Sequence, residues 1–99
     1  MEFDLDQVEV RHNESARRFE AEVHGLTAIV VYKIQPRRMV IQHTEVPPEL
    51  EARGLAGKLT RAALEYARGR RFQVVPSCPY TAAYIARHPE YHDLLSLPQ

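Results

Sequence analysis

The chain has 99 residues, 44% of them hydrophobic, and its 13 basic and 13 acidic side chains balance to a formal net charge of zero. That length is expected to form one domain, residues 1–99, burying about 60–65% of its unfolded surface. Balanced charge gives no electrostatic footprint for nucleic acid, a single cysteine excludes an intramolecular disulfide framework and fits a reducing compartment, and no apolar stretch is long enough to span a bilayer.

The opening segment, Met1 to Asp6, is acidic and lacks the basic and apolar regions of a signal peptide, so a cytoplasmic protein without membrane attachment is expected. Val8, Val10 and His12 alternate with Glu9 and Arg11 and predict a short first strand ending at the turn-forming Asn13-Glu-Ser. Phe19, Ala21 and Val23 alternate with Glu20, Glu22 and His24 as a second strand, closed by Gly25. Leu26 to Ile34 is a more continuous apolar run, expected to be buried on both faces, and Gln35-Pro-Arg-Arg forms the next turn. Met39 to Val46 is the fourth strand. Connections this short predict an antiparallel meander.

From about Gly54 to Arg68 the spacing becomes helical, with Leu55, Leu59, Ala62, Ala63 and Tyr66 on one face and Lys58, Arg61, Glu65 and Arg68 away from it. Gly69 is the expected stop, with Arg68, Arg70 and Arg71 a solvated end that complements the dipole. Phe72 to Pro76 is a fifth strand, reached through a helix and therefore expected to run parallel to the fourth. After Ser77-Cys-Pro-Tyr80 a second helix runs to about Arg87, where His88-Pro-Glu-Tyr91 breaks it. His92 to Gln99 reads as a short amphipathic turn. The order is β-β-β-β-α-β-α, an α/β or α+β domain with a mostly antiparallel sheet.

The stretch from Val46 to Leu59 organises the rest. Pro47 and Pro48 end a strand, and Gly54 and Gly57 leave backbone without Cβ atoms at the opening of a helix, where unpaired N–H groups and the positive end of the dipole favour an anion such as a pyrophosphate. Arg53 and Lys58 add positive charge. The same spacing also fits a plain turn.

Val46-Pro-Pro-Glu-Leu-Glu51-Ala-Arg-Gly54-Leu-Ala56 resembles the first signature of the GNAT acetyltransferases, and Ala82-Ala-Tyr84 through Tyr91 is similar to the second. The closest likeness is to a compact single-domain branch of that superfamily, whose His-Thr-Glu-Val-Pro-Pro and Val-Pro-x-Cys-Pro segments match His43 to Pro48 and Val75 to Pro79. The resemblance implies a V-shaped gap between strands four and five and acetyl-CoA as cosubstrate. Backbone from Arg53 to Lys58, including Gly54, Leu55, Ala56 and Gly57, would hold the pyrophosphate with the Arg53 and Lys58 side chains assisting. Backbone at Glu45 and Val46 would pair with pantetheine and the thioester carbonyl. Two departures stand out. Glu51 replaces a Gln or Arg of the phosphate loop, and Asn13 to Arg17 is only a turn where larger relatives insert a helical wall, which implies an open acceptor site suited to a protein or peptide amine.

Acetyl transfer needs a base for the amine and a proton for the departing thiolate. Cys78, at the mouth of the expected gap, is a candidate general acid or nucleophile, or else a small buried hydrophobe. His43 with Glu45 two residues on is a candidate base and orienter, or a structural hydrogen-bonder. Tyr84 is a second candidate proton donor, or packing. His88 and His92 are separated by a helix-breaking Pro89 and suggest no metal site. The expected activity is acetyl-CoA-dependent N-acetylation by a monomer or weak homodimer, and the competing expectation is a coenzyme A-binding module without transferase activity.

Overall fold

The computed structural model describes residues 2–95. After a 3-10 turn at Leu5–Gln7 come β1 (Arg11–Asn13), β2 (Arg18–Val23), β3 (Leu26–Gln35) and β4 (Arg38–Glu45), then a 3-10 turn at Pro48–Leu50, helix α1 (Leu55–Arg70), β5 (Gln73–Pro76), helix α2 (Pro79–Arg87) and a 3-10 segment at Pro89–Leu95. The five strands form one sheet in sequence order. Neighbours among β1 to β4 are antiparallel, and β4 and β5 run parallel, as the intervening helix requires. This is the mostly antiparallel β-β-β-β-α-β-α arrangement expected from the pattern. The first strand begins at Arg11, three residues later than expected, and the Val8 carbonyl accepts from the Lys58 ammonium instead of joining the ladder with β2.

Tight connections set the register. His24 and Gly25 both have positive φ, 51° and 79°, the two-residue loop that matches strand twist. Pro36 fixes the first corner of the β3–β4 turn, and Arg37 takes φ 64° at the second. In register, Phe19 lies opposite Val30, Ala21 opposite Ala28, Tyr32 opposite Ile41, and Met39 beside Val74. These residues are all buried and form one face of the sheet, against which α1 packs across β2 to β5, while α2 covers β4 and β5. Fully burying each Leu, Ile or Met here contributes about 1.5–3 kcal/mol.

Because both helices cover the same face, β3 is not buried on both sides. Ala28, Val30 and Tyr32 are buried while Ile29 and Val31 are half-exposed. The continuous apolar run reflects β-branched residues on a half-covered face rather than a second layer. Helix α1 also differs from its expected pattern. It continues through Gly69 to Arg70 and ends at Arg71 in the left-handed region, φ 58°, whose N–H donates to the Ala67 and Arg68 carbonyls. Leu64 and Ala67 join Leu55, Leu59 and Ala63 in the core, whereas Ala62 and Tyr66 are half-buried at its margin. No helix among the described residues is long and apolar enough to cross a membrane.

Arg68 is more than a solvated end. Its guanidinium donates to both Asp93 oxygens at 2.9 and 3.2 Å and to the Glu90 carbonyl at 2.6 Å, and it lies over the Tyr91 ring. Tyr91, from the segment expected to break the second helix, and Leu94, from the tail read as an amphipathic turn, are buried; residues 96–99 of that expected turn lie outside the described residues.

Candidate functional site

The parallel pairing of β4 and β5 is short. It runs from Arg38 beside Gln73 to Ile41 beside Pro76. Pro76 has no N–H to extend the ladder, and Ser77 turns back on the Val75 carbonyl at 3.0 Å. The Cys78 N–H then donates to the Ile41 carbonyl at 3.0 Å and closes the contact. Beyond that point β4 continues to Glu45 while the chain of β5 leaves as α2, so the strands part. On the other edge of β4 the register with β3 shifts by one residue at Gln42, a bulge that strengthens the local twist at the parting. The parting opens a cleft of about 430 Å³ lined by Thr44, Val46, Leu50, Glu51, Ala52, Gly54, Leu55, Ala56 and Tyr80.

The floor of that cleft is the start of α1. Leu50 is fully buried and anchors the loop, Ala52 turns it at φ 63°, and Gly54 caps the helix at φ 87°. Gly54 is doubly constrained, since a Cβ there would stand 3.0 Å from Leu5 Cδ2. The first intrahelical bond of α1 runs from the Lys58 N–H to the Gly54 carbonyl, 3.1 Å. The amides of Leu55, Ala56 and Gly57 precede it and have no carbonyl one turn back to bond. Lys58 differs from expectation on two counts. Its amide belongs to the helix, and its ammonium donates to the Leu5 and Val8 carbonyls, both at 2.7 Å, so it ties down the N-terminal turn rather than pointing at the loop. Arg53 is exposed beside the loop.

Cys78 is the N-cap of α2 and is 5% exposed. Its Sγ lies 3.4 Å from Thr44 Oγ1, which lines the cleft, so the sulfur sits behind the cleft wall. Burial pushes the thiol up, but the Thr44 hydroxyl, the Thr81 and Tyr80 amides and the Thr81 hydroxyl together outweigh it and hold the Cys78 pKa below the usual thiol value. The neutral thiol makes no capping hydrogen bond, and the fully buried Thr81 hydroxyl has no partner in the resting arrangement. These donors therefore favour the sulfur chiefly as an anion.

His43 and Glu45 lie opposite Val31 and Ile29, on the sheet face away from the helices. The His43 Nε2–H donates to Glu45 Oε2 at 3.1 Å, and the side chains are 58% and 63% exposed. Thr44 between them faces the other way, toward Cys78. Tyr84 stacks on His88, with ring centroids 3.9 Å apart, and lines a second cleft with Gly57, Lys58 and Arg61. Tyr80 is the tyrosine of the first cleft. A methyl at Gly57 would meet its hydroxyl at 3.5 Å and Tyr84 Cε2 at 3.6 Å, so Gly57 is where the helices approach. Burial pushes the Tyr80 phenol up, with a smaller contribution from Cys78 nearby.

Thr44, Tyr80 and Thr81 are the site residues that sequence reasoning passed over. A signal for each was present: Thr44 alternates with His43 and Glu45, and Tyr80 and Thr81 are the second and third residues after an N-capping Cys78. His88 Nδ1–H donates to the Tyr84 carbonyl at 2.7 Å and His92 Nε2–H to the Ile85 carbonyl at 3.0 Å, so both histidines serve the C-terminal end of α2.

Comparison with known proteins bears on this arrangement directly. Residues 18–94 match the model of a GCN5-related N-acetyltransferase family. Protein NATD1 of Gallus gallus is 31% identical over 85 residues, covering 83% of this chain and 77% of that one, and Protein NATD1 of Homo sapiens is 31% identical with 83% and 75% covered. A GCN5-like protein of Staphylococcus aureus, solved by NMR, superposes with a TM-score of 0.70 at 24% identity, covering 92% of this chain and 90% of that one; at that identity it bears on the fold alone. With its parted fourth and fifth strands opening onto the first turn of the main helix, the chain belongs to the GCN5-related N-acetyltransferase family.

Proposed function

We propose that the protein is an acetyl-CoA-dependent N-acetyltransferase acting on the amine of a protein or peptide. The observation that carries this reading is the cleft where β4 and β5 part, with unbonded helix amides at one end and the Cys78 sulfur behind its wall. The amides of Leu55, Ala56 and Gly57 fit a pyrophosphate, with Arg53 adding charge. Glu51 offers no donor to a phosphate, which leaves that contact to the backbone. The unpaired edge of β4 at Glu45 and Val46 suits the amides of pantetheine, and Val46 and Leu55 supply apolar wall. Lys58 acts indirectly in this scheme, by holding Leu5 against Gly54.

A thioester lying along this edge reaches the gap between the strands, with the helices on one side of the sheet and the exposed His43–Glu45 pair on the other. The amine approaches from the exposed side. His43 takes its proton, and Glu45 orients the imidazole and stabilises its charged form. Cys78 serves the departing thiolate, either by returning a proton or by carrying the acyl group as an acyl-cysteine. Tyr80 adjoins Cys78 from the cleft side, and Tyr84 is the second candidate donor, from the neighbouring cleft. An acyl adduct on Cys78 found by mass spectrometry identifies the nucleophile, and its absence during turnover leaves proton donation, by Cys78 or by Tyr84.

A second reading, a coenzyme A-binding module without transferase activity, is favoured by the connection between β1 and β2, which is a four-residue turn at 14–17 where an acceptor wall would otherwise stand. Incubation with acetyl-CoA and a panel of peptides and polyamines separates the two. The transferase reading expects a protein-dependent acetylated product. Coenzyme A raising the melting temperature with no acceptor modified supports the binding module, and no melting shift at millimolar coenzyme A overturns both.

A further inference from the structure

We propose that Cys78 is a redox-sensitive modification site at which the free thiol of coenzyme A, seated in the cleft beside it, is captured as a mixed disulfide under peroxide. The inference rests on the coenzyme A reading above and extends it to a covalent, reversible blocked state.

Three observations converge on this sulfur. Cys78 is the only cysteine in the chain, so no second thiol of the same molecule resolves an oxidised form. It caps a nine-residue helix with Thr44 Oγ1 at 3.4 Å, and the Thr81 hydroxyl beside it is fully buried and unpartnered at rest. An unpartnered buried hydroxyl is costly unless it has a use, and donating to a sulfur anion, or to the hydroxyl of a sulfenic acid, is such a use. Finally, the sulfur is only 5% exposed and lies behind the wall made by Thr44 and Tyr80. Bulk thiols have little access to it, whereas a thiol held in the cleft lies against Thr44, whose hydroxyl touches the sulfur, and needs only that wall side chain to turn aside.

The chemistry balances as follows. The Cys78 thiolate attacks hydrogen peroxide, the O–O bond breaks, and with one proton taken up the products are a sulfenic acid and water. The coenzyme A thiolate then attacks the sulfenic sulfur, an S–S bond forms, and the hydroxyl leaves as water with the proton the thiol gave up. Two thiols lose one electron each and one peroxide gains two. The cleft is then filled and the sulfur withdrawn from acyl transfer until a reductant splits the bond.

The test uses the full reduced chain. Coenzyme A binding is measured first by thermal shift, then peroxide is added with coenzyme A or with an equal concentration of glutathione, and intact mass is followed without reductant. The expected product gains the mass of one coenzyme A less two hydrogens, reverts with dithiothreitol, is absent from Cys78→Ala, and forms at least about tenfold faster than the glutathione adduct. Thr81→Val, which keeps the side-chain shape, is expected to slow adduct formation by about tenfold without changing coenzyme A affinity. Binding without adduct, or with irreversible oxidation only, overturns this inference and leaves the coenzyme A reading intact. No binding, with glutathione and coenzyme A adducts forming equally fast, overturns both.

Discussion

The two ends of the β4–β5 contact are built from the same strands and behave as opposites. At the closed end Arg38 to Ile41 pair with Gln73 to Pro76, the Gln73 N–H reaches the Arg37 carbonyl at 2.8 Å, its side chain reaches the Leu95 carbonyl at 3.0 Å, and Met39, Ile41 and Val74 are buried. At the open end the ladder stops at a proline, α1 begins with amides that have no helical partner, and a buried threonine hydroxyl waits without one. Packed side chains and ladder bonds mark one end and unmet hydrogen-bonding capacity the other, although the buried Thr60 hydroxyl inside α1 is unpartnered as well. A fold of this size can hold unsatisfied donors at a site only because the adjoining end is well packed.

Changes at the open end should therefore cost activity and changes at the closed end stability. The largest effect is expected from Cys78→Ala, which should lower transfer by on the order of a thousandfold, about 4 kcal/mol of barrier, with coenzyme A affinity nearly unchanged. Unaltered turnover in a steady-state assay would remove Cys78 from the reaction. Met39→Ala, at the closed end, should destabilise by about 2–5 kcal/mol in urea unfolding while the fraction that remains folded binds coenzyme A normally. Weakened binding by that folded fraction would show that the two ends are not separable.

Gly54→Ala lies between these cases. Forcing a Cβ into the left-handed region at the cap should cost about 1–2 kcal/mol of stability, and displacing Leu5 should disturb the anion loop and weaken coenzyme A binding as well. Calorimetric titration at a temperature where the variant is fully folded checks the second part. A subtler test follows protonation. Since the Cys78 pKa is lowered on folding, the thiolate's contribution to stability is present above the ordinary thiol pKa of about 8.5 and is lost as pH falls through the lower folded value. Alkylation of the native chain should accordingly reach half its limiting rate at a lower pH than alkylation of the urea-unfolded chain. The smallest effect is expected for His43→Ala on folding, within about 0.5 kcal/mol because the residue is exposed, although transfer to an amine should fall below pH 8 if His43 is the base.

Much was legible in the chain, and the reasons are local. Alternation fixes which residues of β2 share a face, and those of β4 as far as Ile41, beyond which the bulge at Gln42 reverses the phase and puts Thr44 rather than His43 on the helix side; His24-Gly25 and Pro36-Arg37 are turns by their own chemistry, and the double proline followed by Gly54 and Gly57 marks the strand-to-helix junction wherever it lies in space. The parallel sense of β5 follows from the helix before it.

Side-chain allegiance was not legible, because it depends on what the chain brings within reach from far away. Lys58 reads as a phosphate ligand from its place beside the glycines, yet carbonyls some fifty residues earlier claim its ammonium. Arg68 reads as a solvated end, yet Asp93 and Tyr91 fold back onto it. The half-covered face of β3 depends on both helices choosing one side, which no strand encodes alone. Thr44 and Thr81 became site residues only when β4 and the start of α2 met across the parted strands, 34 residues apart between Thr44 and Cys78. Local backbone preference thus determined the elements and their order, while long-range packing decided which polar groups would be used up by the fold and which would be left for a ligand.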